Sequence, residues 1–260
     1  GGYHHVLMHG TTIHGAQRMR NDDGTPVTGR PQTISYYDKD GGIGQAIAAV
    51  RARKGAAMRV AVIGLGAGTL ACAAAPGETW RFFEIDQSMI DTARDPRYFT
   101  FIRDCAPGLQ PVVGDARITF AREPDGIYDL VIVDAYSSDA IPIHLATREA
   151  MAIYKAKLAP HGAVLMHVSN RHLELASVVA GIAAANGLKS WHFAEDVERD
   201  DPYIFTTEVV LSARDDADIG NLVWNKNWVA RTVDAGVRVW TDDYSNILGA
   251  VWRRLRESDG

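Results

Sequence analysis

Acidic side chains close several apolar runs of this chain, and carboxylates so placed can do chemistry. The run "RFFEID" carries Glu84 and "VVGDA" carries Asp115; "YDLVIVDAYSSDAIP" carries Asp134, with Asp139 five positions on. A carboxylate that ends a buried run needs partners, because burying a charge without them is costly. It can take a proton from a nucleophile, hold a cation in an attacking pose, or accept hydrogen bonds from hydroxyls. "VIGLGAGTL" adds Gly64, Gly66 and Gly68 directly after another apolar run. Glycines there permit a tight turn and the close approach of a ligand to the backbone.

These groups need a frame that brings strand ends together. "YHHVLMHGTTIHGAQ" reads as a β-hairpin region, residues 21 to 33 as a loop, and "IGQAIAAVRAR" as a helix. From Met58 to Ala213, apolar strands then alternate with helical stretches. The strands are "MRVAVIG", "TWRFFEID", "LQPVVGDA", "YDLVIVDA", "AVLMHVS", "KSWHFAE" and "TEVVLSA". Between them lie the helical "TLACAAA", "SMIDTAR" with Ser88 as N-cap, "ITFAREP", "ATREAMAIYKAKLAP" stopped by "PHG", and "HLELASVVAGIAAANG". Continuously apolar strands are buried on both faces, as in a parallel sheet. The fold predicted is α/β: a doubly wound, Rossmann-like, seven-stranded methyltransferase-type sheet with a small N-terminal β-hairpin region. The hairpin region takes residues 1–42 and the Rossmann-like adenosyl-binding domain residues 43–260. The tail from Asp215 is helical in parts, with Trp224, Trp228 and Trp240 packing it onto the domain.

In that frame the groups converge where open α/β sheets bind ligands, at the carboxyl ends of adjacent strands. The helix after the glycines points its N-terminus at the ligand. The spacing G-x-G-x-G is that of S-adenosylmethionine-type sites rather than NAD sites. Glu84 is placed to accept from both ribose hydroxyls, with Ile85 beside it. Asp115 can accept from the adenine amino group, and the backbone at Ala116 can meet a ring nitrogen.

Taken together, "VIGLGAG", "FEID", "VVGDA" and "YDLVIVDAYSSDAIP", after a hairpin ending in Gln17, resemble the polyamine aminopropyltransferase (spermidine synthase) family. The resemblance covers about residues 7 to 170. It is nearest to the bacterial spermidine-synthase-like domains often joined to a membrane-spanning part, through "HGTTIHGAQ", "SSDAIPIHLATREA", "HVSNRHLEL" and "WTDDYSNIL". It implies aminopropyl transfer from decarboxylated S-adenosylmethionine to a small-molecule amine, with no metal. By the same resemblance Gln17 faces the aminopropyl or sulfonium end, and Asp134 is the catalytic aspartate. Tyr36, Tyr37 and Asp38 match the family's Y-H-E element, Tyr36 on the adenosyl ligand and Tyr37 and Asp38 on the substrate. Here "DAYSSD" separates its two carboxylates by four residues, where the family usually has two. Asp139 either binds the far ammonium of the acceptor or holds the loop through turn chemistry. Tyr136 orients either acid. Asp242 and Asp243, in "WTDDYSN", either fold over the substrate cleft or cap a helix. His144, His167 and His172 lack metal-ligand spacing and read as core or surface histidines.

Bulk properties bound the rest. The chain has 260 residues, 47% of them hydrophobic, enough for one large domain with a real core. Its net charge of −5 argues against a nucleic-acid partner. The two cysteines, Cys72 and Cys105, form no motif and are expected as thiols in a reducing compartment. No apolar run reaches the roughly 18 residues that cross a bilayer. The opening Gly1-Gly2, without Met, is what a piece of a longer protein would show. The expected location is the cytoplasm, as a free protein or as the cytoplasmic domain of a membrane protein. The expected assemblies are a homodimer and, in the full-length protein, a covalent link to a membrane-spanning part. Two other functions fit the same residues: a methyltransferase or other enzyme using intact S-adenosylmethionine, and a non-catalytic nucleoside-sensing domain of a membrane protein.

Overall fold

The computed structural model describes residues 3–9, 12–55, 57–135, 142–170, 172–195, 207–233 and 237–258. Strands β1 (His4–His9) and β2 (Thr12–Arg18) form the expected antiparallel hairpin, separate from the main sheet. Helix α1 (Gly42–Lys54) follows, ended by Gly55 in the left-handed conformation. The sheet then takes β3 (Arg59–Ile63), β4 (Thr79–Glu84), β5 (Val112–Val113), β6 (Tyr128–Val133), β7 (Leu158–His167), β8 (Lys189–Ala194), β9 (Glu208–Ala213) and β10 (Trp228–Arg231). Its order is β10-β8-β9-β7-β6-β3-β4-β5. The five strands from β7 to β5 are parallel; β9 runs antiparallel to both β7 and β8.

The seven expected strands are present, and β10 extends the sheet to eight by pairing antiparallel with β8. Periodicity reads so short a strand poorly: it spans four residues and only Trp228 is buried. Alternate residues of β3 show why the strands read as continuous apolar runs. Val60 and Val62 pack into one core with Ile43, Ile47 and Val50 of α1. Ala61 and Ile63 pack into a second, with Phe120, Tyr154 and Val179. Both faces are covered, as the doubly wound fold requires.

The intervening helices are α2 (Gln87–Arg94), α3 (Phe101–Cys105), α4 (Ala116–Thr119), α5 (Arg148–Lys157) and α6 (Ala176–Ala184), with α7 (Ile247–Ser258) in the tail. Several boundaries differ from expectation. The stretch after the glycines is only a 3-10 turn, Thr69–Ala73, so no α-helix dipole points from it at a ligand. Asp86, not Ser88, caps α2, its Oδ1 accepting from the Ser88 N–H at 2.8 Å. "PHG" lies inside β7 rather than stopping α5 in a loop, because the chain passes from helix to strand at Leu158. Trp228 and Trp240 are buried, whereas Trp224 is 87% exposed and packs nothing down.

Cys72 and Cys105 are joined in a disulfide, which corrects the expectation of free thiols. They lie 33 residues apart with no motif to mark them, and meet because α3 packs on the 3-10 turn after the glycines. Closing a loop of that length stabilises the fold by about 3–4 kcal/mol on the chain-entropy account. Among the described residues, no helix is long and apolar enough to cross a membrane.

Candidate active site

The strand order reverses between β3 and β6, and the two loops that leave their carboxyl ends touch there. The Asp134 N–H donates to the Ile63 carbonyl at 2.8 Å, and the Gly64 N–H donates to the Phe83 carbonyl at 2.8 Å. Gly64 has φ +100°, and a Cβ on it would lie 2.3 Å from the Asp134 carbonyl oxygen. Gly66 has φ +53°, and a Cβ there would lie 2.4 Å from the His14 carbonyl oxygen. The turn is therefore wedged between the strand-end aspartate and the hairpin. The tight turn was expected; the neighbours that demand glycine here are protein backbone.

Asp134 is the best-defined group of the site. Its side chain is 4% exposed and that of His167 is 7% exposed. The Tyr37 hydroxyl donates to Asp134 Oδ2, and His167 Nδ1 lies 2.7 Å from Oδ1. A carboxylate can only accept, so the imidazole nitrogen facing it carries a proton. The far nitrogen, Nε2, lies 2.8 Å from Ser169 Oγ. Tyr36 stacks on His167 with ring centres 4.7 Å apart. Burial first, and then the negative charge of Asp134, push both tyrosine hydroxyls well above their ordinary range. Tyr37 thus stays a neutral donor. The turn holding these rings begins at Ser35, a buried residue with φ +69° whose hydroxyl finds no partner among the described residues. Strain of that kind is held by its surroundings and gathers at functional sites.

The nucleoside candidates lie along the neighbouring strand ends. Glu84 Oε2 accepts from the Leu65 N–H at 2.9 Å and Oε1 from the Asp86 N–H at 3.0 Å. Each oxygen keeps a second lone pair, enough for two hydroxyls. Asp115 caps α4, its Oδ1 accepting from the Arg117 N–H at 2.8 Å, with His144 Nε2 at 3.6 Å. Ala116 is buried beneath it, while Ile85, Val113 and Ile118 stand exposed around these ends. Exposed apolar groups beside hydrogen-bonding carboxylates suit a flat ring with a polar edge.

Other candidates are engaged elsewhere. Gln17 is buried and bound twice to Thr100: its Nε2 donates to Thr100 Oγ1 at 2.6 Å, and its Oε1 accepts from the Thr100 N–H at 2.8 Å. It lines a cavity of about 880 Å³ with Arg30 and Arg103, which Gly64, Glu84, Asp115 and Asp134 do not line. Asp38 accepts from the Asp40 N–H at 3.0 Å in the turn before α1. Asp243 is exposed. Tyr136 and Asp139 lie outside the described residues. His167 and Ser169 were missed as site residues. The available signal was that His167 closes the strand beside the one that Asp134 closes.

Asp242 is a latch. Arg117 donates to its two oxygens at 2.8 and 2.7 Å, and the Thr147 hydroxyl donates at 2.7 Å. The hydrogen bonds from Arg117 lead in holding its carboxyl down at about 2. A group depressed in the folded state stabilises above its unfolded value, and that stabilisation is lost as pH falls through the folded value. Asp242→Asn should therefore lower the melting temperature at neutral pH. The gap to wild type should narrow between about pH 4 and about pH 2, as thermal unfolding across pH would record. A gap that stayed constant over that range would mean that the charge is not what matters.

The sheet order and the strand-end cleft define a Rossmann-like α/β fold of methyltransferase type. Among solved structures, the chain is similar to a probable spermidine synthase from Corynebacterium glutamicum, at 14% identity and TM-score 0.56, over 92% of this chain and 97% of that one. It is also similar to the spermidine synthase from Thermotoga maritima, at 13% identity and TM-score 0.50, over 95% of this chain and 84% of that one. At such identities the likeness is one of fold. No family model matches the chain, and no curated protein matches it.

Proposed function

We propose that the chain is a transferase acting on an adenosyl sulfonium, and that it moves the aminopropyl group of decarboxylated S-adenosylmethionine to an amine. The observation that carries this is Asp134: a buried carboxylate, held by two donors, at the crevice where the strand order reverses. Glu84 and Asp115 hold the ribose and the adenine edge at the neighbouring strand ends. The residues present suit such a nucleoside, since Glu84 has lone pairs for two hydroxyls and Ile85 and Val113 offer apolar surface.

The sulfonium supplies the electrophilic carbon. The amine nitrogen forms a bond to that carbon as the carbon–sulfur bond breaks, and the bonding pair stays on sulfur as a neutral thioether. The amine must lose a proton, and Asp134 takes it. The same negative charge draws a cationic acceptor in and holds it for attack. Tyr37, kept protonated, donates to one carboxylate oxygen and leaves it a lone pair for the incoming N–H.

Calorimetry with S-adenosylmethionine, its decarboxylated form and methylthioadenosine, followed by turnover with a panel of amines, tests this. The expected result is preference for the decarboxylated form and release of methylthioadenosine. Preference for the intact form with methyl transfer would make the chain a methyltransferase. Tight nucleoside binding with no turnover would make it a sensing domain.

A further inference from the structure

We infer that His167 is the positioning residue of Asp134, and that Ser169 anchors the far imidazole nitrogen so that Nδ1 stays on the carboxylate. This rests on the transferase function proposed above and adds the device that keeps its base in one orientation.

The geometry is specific. His167 ends β7 and Asp134 follows β6, neighbouring parallel strands whose register pairs Val133 with Met166. The two side chains therefore leave the sheet edge next to each other, bonded at 2.7 Å, with almost no water access. Tyr36 covers the imidazole face, and the Tyr36 carbonyl accepts from Thr207 Oγ1 at 3.2 Å. Rotation of the ring would break both of its hydrogen bonds and the stack.

Ser169 can serve both charge states. With His167 neutral and its proton on Nδ1, the Ser169 hydroxyl donates to Nε2, and Ser169 Oγ accepts from the Glu208 N–H at 2.8 Å. With His167 protonated, Nε2–H donates to Ser169 Oγ, and the hydroxyl hydrogen turns to the Glu208 carbonyl at 3.4 Å. A hydroxyl is the side chain that can make this exchange, being donor and acceptor at once. A histidine serving only as packing needs no partner at its far nitrogen that suits either charge.

The consequence concerns pH. Protonating His167 sets a cation against Asp134, weakening its pull on a cationic acceptor and its power to take a proton. Among the described residues, the groups around the pair include Tyr36 and Tyr37 on the turn and Glu208 on β9; Glu208 is in turn held by His192 at 2.9 Å and Arg254 at 3.3 Å.

Three variants and one spectrum test the inference. His167→Phe keeps a ring under Tyr36 but removes the donor; kcat should fall about 100-fold, within the range of a mispositioned base. Nucleoside affinity should stay near wild type, while the melting temperature falls because the buried carboxylate loses one of its two donors. His167→Asn places an N–H near the Nδ1 position; it should recover most of that loss and shift the low-pH limb of kcat/KM. Ser169→Ala should lower kcat less and move that limb. A His167→Phe variant with normal kcat, or an Asn variant with an unchanged pH profile, would overturn the inference. Nitrogen-15 spectra of the histidines need no turnover. Neutral His167 should carry its proton on Nδ1 in wild type and lose that preference in Asp134→Ala. A wild-type proton on Nε2 overturns the inference even if no amine is ever turned over, whereas a silent amine panel beside an Nδ1 proton overturns only the transferase function.

Discussion

Asp134→Asn lowers turnover by at least about 10³-fold while nucleoside affinity stays within a few-fold of wild type. A loss of that size is about 4 kcal/mol of transition-state stabilisation, the scale of removing a positioned base together with its charge. The amide matches the carboxylate in shape but brings a donor where both neighbours already donate. Tyr37 O–H meets one oxygen and His167 Nδ1–H the other, so one Asn position faces a donor with a donor. Nitrogen in place of oxygen also removes the anion that raises both tyrosines. Their ultraviolet titration should begin at lower pH in the variant, a readout independent of turnover. Glu84 and Asp115 do not bond to Asp134, so calorimetry should find nucleoside binding intact. Normal turnover in the variant would remove Asp134 from the reaction and with it the proposed mechanism.

What could be seen beforehand follows from how local each feature is. Gly64, Glu84, Asp115 and Asp134 each sit where an apolar run stops, and a parallel sheet lines up its strand ends; local pattern plus topology therefore locate them. His167 needed more: that β7 lies beside β6 in matching register, which turns two separate run-ends into a pair. The Cys72–Cys105 bond depends on α3, a five-residue helix too short for periodicity to reveal. The Asp242 latch joins residues 125 positions apart, and nothing near "WTDDYSN" distinguishes a latch from a substrate contact. Gln17, carried over from the family resemblance, has its amide turned to Thr100, a contact 83 positions away that no local pattern signals.

The glycine turn yields the second large effect. Gly64→Ala should destabilise the fold by about 2–5 kcal/mol, the sum of overpacking against unyielding backbone and left-handed strain. The new methyl would meet the Asp134 carbonyl oxygen at 2.3 Å and its carbon at 2.8 Å, and both are backbone atoms. Neither side can retreat cheaply: the Gly64 N–H is tied to Phe83 in β4, and the Asp134 N–H to Ile63 in β3. Relief would have to separate the loops of β3 and β6, moving Asp134 away from Tyr37 and His167. Gly77→Ala separates the two contributions. It has φ +86° but nothing within 4 Å of the added carbon, so it carries the backbone strain alone, about 1–2 kcal/mol. Chemical unfolding of both variants should place Gly64→Ala well below Gly77→Ala, with turnover lost in the first and kept in the second. Equal stability of the two would mean that the β3 and β6 loops are not pressed together, and that Asp134 is not held in place by the turn it touches.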